Sequence, residues 1–132
     1  MIATLNRLAP HVLSLLRVMS ALLLLQHGTT KILGFPTTQM TGVSLTSMPG
    51  IAGIIELVGG LLLLVGLFSR ATAFVLSGMT AVAYFLVHAP NDFHPIVNGG
   101  ELAALYCFVF FYLVFAGPGP WSLDRVLGRE KA

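Results

Sequence analysis

The sequence predicts an all-α fold: a four-helix transmembrane bundle with both termini cytoplasmic and a short amphipathic C-terminal helix. Three observations predict it. Of 132 residues, 56% are hydrophobic and only 9% are charged, with a mean hydropathy of +0.89. Soluble domains carry about 25% charged residues, so an ordinary water-soluble core is excluded. Four apolar segments, at about 11–33, 51–68, 71–88 and 101–116, each approach the roughly 20 residues that a membrane-crossing helix requires. Finally, Arg7, Arg70, Arg125, Arg129 and Lys131 fall before, between and after these segments on one side, while the two opposite loops hold only Lys31. That excess puts both termini of a multi-pass membrane protein in the cytoplasm.

The first helix is expected from about Pro10, a residue suited to a first turn, to the stop signal Gly34–Pro36. Its apolar stretch is longer than a signal-peptide core and no small-x-small site follows, so it reads as a retained anchor. The loop 35–50 is rich in Thr, Ser and Gly and reads as irregular. The second and third helices meet at a tight turn around Ser69–Arg70 and are antiparallel neighbours. The loop HAPNDFHPIVNGG (88–100) is short and polar, and the fourth helix stops at Gly117-Pro118-Gly119-Pro120. In the tail, 121–130, Ser122 suits an N-cap and Asp124 a first turn, with Trp121 at the membrane interface. The chain reads as a single integral membrane domain over 1–132.

Glu56 is the sharpest anomaly. It lies in IAGIIELVGGLLLLVGLF, otherwise entirely apolar or glycine, and an ionised group at that depth costs about 2.5–3.5 kcal/mol on insertion scales. Gly53, Glu56 and Gly60 share a helical face with Gly59 beside them, which turns the carboxylate toward a closely packed neighbour. On the first helix Ser14, Arg17, Ser20, Leu24, His27 and Lys31 form one stripe. Ser77, Ala81, Tyr84 and His88 align on the third helix, and Glu101, Leu105, Phe108 and Tyr112 on the fourth. At about 1.5 Å per residue, Gln26, His27, Lys31, Glu56, His88 and Glu101 reach one outer level and can meet in a polar pocket. Tyr84, Phe108 and Tyr112 are its candidate lining. Arg17 is deeper and is expected to climb to Glu56 as its partner. A plainer reading stands beside this one: such groups also serve as glue that sets helix register.

No metal site is expected. His88-x5-His94 with Asp92 matches no known zinc or haem spacing, and phosphate-binding or nucleophile-elbow motifs are missing. The lone Cys107 has no internal disulfide partner. No basic patch interleaved with aromatics points to nucleic acid.

Arg17, QHGTTKILGF (26–35), IIELVGGLLLLVGLFSRATA (54–73) and GPGPWSLDRVL (117–127), in this order, resemble the DoxX family of small bacterial membrane proteins. The resemblance implies an inner-membrane four-helix bundle, linked by the family's namesake to a quinone oxidoreductase. The leading expectation is therefore a redox-associated, quinone-linked subunit. In it His27, Lys31 or Arg17 would donate to a quinone oxygen, and Glu56 or Glu101 would relay protons. Its partners would be the lipid bilayer, a membrane or periplasmic oxidoreductase and other copies of itself. A non-enzymatic scaffold, assembly or stress-response partner is the alternative, and a small ligand carrier the third. No residue pattern decides whether the chain is an enzyme.

Overall fold

The computed structural model describes residues 1–131, and among these every regular element is helical. The elements are α1 (Ile2–Ile32), α2 (Met48–Val65), α3 (Ser69–Ala83) continued by a π-helical turn (Tyr84–His88), a short α4 (Pro95–Asn98), α5 (Glu101–Ala116) and a one-turn α6 (Leu123–Val126). Three helices are long and apolar enough to cross a membrane: α1, α2 and α3 with its π turn. A fourth apolar helix, α5, is shorter at 16 residues.

α1 begins nine residues earlier than the sequence predicts, so Pro10 lies inside the helix rather than in its first turn. All residues from Ile2 to Pro10 are exposed. α2 opens three residues early because Ser47 caps it, its hydroxyl accepting from Gly50 N at 3.2 Å, with Pro49 in the first turn. It ends at Val65, where Gly66 takes a left-handed conformation (φ 72°). The tail helix is shorter than expected.

Two hairpins build the bundle: α1 packs chiefly on α2, and α3 chiefly on α5. Glycine sets the first of these contacts. A Cβ on Gly28 would stand 2.6 Å from the backbone nitrogen of Leu57, and one on Gly60 would meet Leu25 at 3.1 Å. Only a bare backbone lets the two helices come this close, the packing mode that small residues provide in membranes. The buried centre joins Ala21 and Leu24, Leu63, Ala73 and Leu76, and Tyr106, Phe110 and Leu113. The start of α1, the 66–69 turn and the described tail to Lys131 share one end of the bundle, here the tail end. The connections 33–47 and 89–100 share the other, the loop end.

Candidate functional site

At the loop end, Gly53 on α2 faces Lys31 on α1 so closely that an added Cβ would meet the lysine stem at 2.9 Å. The lysine therefore lies across the α2 backbone, and its ammonium reaches both Glu56 oxygens, at 3.0 and 2.8 Å. Both side chains are largely buried, at 10% and 9% exposure. Paired in this way, the two charges satisfy each other where neither alone would be tolerated.

Beside the pair stands Tyr106 of α5. It is 6% exposed, stacked on Phe110 with rings 5.4 Å apart and nearly parallel, and its buried hydroxyl has no hydrogen-bond partner. His27 of α1 meets the Tyr106 ring edge-on, with centroids 6.3 Å apart, and is itself exposed. The result is a graded series at the loop end: an exposed imidazole, a buried phenol without a partner and a buried ion pair.

No sequence pattern singles out Tyr106. Spacing puts the inward face of α5 on Glu101, Leu105, Phe108 and Tyr112, but Phe108 is 72% and Tyr112 56% exposed, and Glu101 is exposed too. These residues do not face the core; the buried stripe is Tyr106, Phe110 and Leu113. α5 is apolar all round, so no periodicity marks which face turns inward. An i, i+4 aromatic pair flanking the lone cysteine was the only available signal.

The single polar pocket expected at the loop end divides in two. Gln26 is exposed and away from the ion pair. His88 turns to the α3–α5 hairpin, its Nδ1 3.1 Å from the carbonyl of Asn98. The buried Asn98 amide also donates to Tyr84 Oη at 3.3 Å and to the Asp92 carbonyl at 3.0 Å, and its own oxygen accepts from Gly100 N at 2.7 Å. The π turn is what swings His88 there: Ala89 N bonds to Tyr84 O, one residue beyond the α-helical partner. Nearby, His94 and Asp92 pair at 3.0 Å on the surface. The described residues contain no cluster of three or more His, Cys, Asp or Glu suited to a metal ion.

Arg17 is not the partner of Glu56. It precedes Lys31 by 14 residues, about 21 Å along the helix, and points to the tail end. There its guanidinium donates to the carbonyls of Pro118 and, at 2.7 Å, of Trp121, with Asp124 as the nearby negative charge. Ser14 assists, its hydroxyl accepting from Trp121 N at 3.1 Å. Gly119, at φ +78°, is needed at this point: a Cβ would run into the Ser14 hydroxyl and lie 2.9 Å from the Pro10 carbonyl. Asp124 then reaches back to the 66–69 turn, accepting from Phe68 N at 2.9 Å and Ser69 N at 2.8 Å. It thereby holds the left-handed Phe68 (φ 51°) that starts α3. Burial would raise the Asp124 carboxyl, but the hydrogen bonds from Ser69 and Phe68 and the charge of Arg129 hold it below the usual range. Arg70 completes the clasp, pairing with Glu130 at 2.6 Å and capping the α5 carbonyls of Val114 and Phe115.

Helices of this length and apolarity, closing buried polar pairs upon themselves, define a multi-pass helical membrane protein. The DoxX family model matches residues 12–89, more than half of the chain, and the protein belongs to the DoxX family. It is 45% identical over 126 residues to a Haemophilus influenzae protein described as uncharacterized, covering 92% of this chain and 94% of that one. It is 30% identical over 120 residues to the inner membrane protein YqjF of Escherichia coli, covering 86% and 90%. No solved structure matches the chain. This is a multi-pass protein of the inner membrane.

Proposed function

We propose that the chain is one integral membrane unit in which α5 is the fourth span and both termini face the cytoplasm, and that it serves as a quinone-linked subunit of a redox system. The Lys31–Glu56–Tyr106–His27 cleft is its ligand site. One observation carries this reading: the buried hydroxyl of Tyr106, a residue 6% exposed, has no partner at the end of the bundle that holds a buried ion pair. An unsatisfied buried donor costs about 1–3 kcal/mol, so a ligand acceptor entering there recovers that loss. A quinone head offers carbonyl acceptors on an otherwise apolar ring, and its isoprenoid tail remains in the bilayer. α1 and α5 touch only sparingly, so on this reading the ligand would enter between them, past the exposed His27. Tyr106 would donate to one carbonyl, and Lys31–Glu56 would exchange the proton with the loop end. Electrons would come from an associated oxidoreductase.

Protein purified from native membranes should carry quinone at a ratio above that of the surrounding lipid, and Tyr106→Phe should lower it at least severalfold. Quinone at only the bulk lipid ratio in both proteins would overturn the reading. The competing role, a membrane scaffold without a ligand, draws on a different feature: Lys31 and Glu56 already satisfy each other bidentately.

A further inference from the structure

The acidic and basic residues divide unequally between the two ends. Six of the seven Lys and Arg lie at the tail end, all but Lys31, with only two of the five acids, Asp124 and Glu130. Both acids are committed internally, Asp124 to the Phe68 and Ser69 amides and Glu130 to Arg70. Arg125 and Lys131 carry no ion pair among the described residues, and the exposed Arg129 lies over the Phe68 ring at 4.3 Å. Arg129 and Lys131 are exposed and Arg125 is half-buried.

The same segment exposes an apolar face. Leu123, Val126 and Leu127 share one side of α6 at 41%, 78% and 59% exposure, and Trp121 just before them is 57% exposed. Depth places this face at the membrane boundary. Trp121 is tied to Ser14, which precedes Ile32 by 18 residues, about 27 Å of helix against a hydrocarbon core of about 30 Å. An apolar turn fringed by Arg125 and Lys131, neither of them in an ion pair, with the exposed Arg129 beside them, has the chemistry that an anionic bilayer surface recognises. We infer that the segment Trp121–Lys131 is a docking surface for anionic phospholipid headgroups, with Trp121, Val126 and Leu127 in the interface and Arg125, Arg129 and Lys131 on the phosphates.

Trp121 is the only tryptophan in the chain, so its fluorescence reports on this segment without labelling. The full chain is reconstituted in phosphatidylcholine vesicles containing the same small fraction of either brominated phosphatidylglycerol or brominated phosphatidylcholine. Quenching should show the glycerol lipid enriched around Trp121 by at least about fivefold, the preference that one basic side chain at an anionic surface supplies. The enrichment should collapse in about 1 M salt and in Arg125→Gln/Lys131→Gln, a variant that leaves the Arg129–Phe68 contact and the tail clasp in place. An unchanged emission maximum confirms that the clasp has held in this variant. Equal quenching by the two lipids would reduce the segment to an unselective apolar anchor and overturn the inference. Quenching by neither, as when a second copy or another protein covers Trp121, would overturn it too, and so would a preference that survives in the variant. None of these outcomes depends on the ligand of the Lys31–Glu56 cleft.

Discussion

Replacing Lys31 by Met keeps the stem that crosses Gly53 and removes only the ammonium. Glu56, 7% exposed, then loses both of its contacts, at 3.0 and 2.8 Å. Breaking one side of a buried pair costs about 3–5 kcal/mol, mostly the penalty of the charge left behind. Here about a tenth of each side chain still reaches the surface, so the lower end applies, about 3 kcal/mol. Glu56→Leu should cost a similar amount by stranding the lysine. The double change, Lys31→Met with Glu56→Leu, buries two apolar groups of similar volume and should fall within about 1 kcal/mol of the native protein. Equilibrium unfolding by SDS in mixed micelles, followed by far-ultraviolet circular dichroism, measures the cycle. The expected coupling is several kcal/mol. Single changes that each cost under about 1 kcal/mol, or that simply add, would refute the claim that the pair's charges are desolvated.

Four further outcomes follow from the same contacts. Gly28→Ala should destabilise by about 1–3 kcal/mol in that unfolding assay, because its Cβ must displace the Leu57 backbone. Arg17→Leu strands the carbonyls of Pro118 and Trp121 and should cost about 2–3 kcal/mol; trypsin cleavage at Arg125 and Arg129 should accelerate as the tail loosens. Asp124→Ala should cost about 2–4 kcal/mol by freeing two amides. Its folded carboxyl is depressed, so this stabilisation is complete above the unfolded value near 3.9 and is lost as pH falls through the lower folded value; a stability profile below about pH 4 should therefore flatten in the alanine variant. Phe108→Leu and Tyr112→Leu, on the outward face of α5, should change stability by less than about 0.5 kcal/mol and leave quinone retention unaltered.

The inward faces of α1 and α2 were legible because each carries contrast. Ser14, Arg17, Ser20 and Leu24 are polar or periodic enough to mark a stripe, and all four are buried. Gly53, Glu56, Gly59 and Gly60 are buried as expected. Contrast fails on α5, where apolar residues surround the axis and both Tyr106 and Tyr112 suit either environment. The choice between them is made by Phe110, fully buried against the core, and a neighbour's position is not a property of α5 alone. The partner of Arg17 was missed for a different reason. Opposite charge suggested Glu56, yet backbone carbonyls freed by two prolines and a glycine neutralise a guanidinium's donors equally well, and no pattern of residue types reveals them.

Apolar length and the scarcity of charge were enough by themselves to determine a helical membrane protein, and the constant rise per residue fixed the spacing of its polar groups along each helix. Order along the chain likewise determined that Glu56 needs a partner. Which partner it takes, Lys31 rather than Arg17, was decided only in three dimensions. Gly53 lets the lysine cross α2, while Gly119 brings the tail carbonyls to the arginine first. A buried charge accepts the nearest adequate partner, and nearness comes from packing.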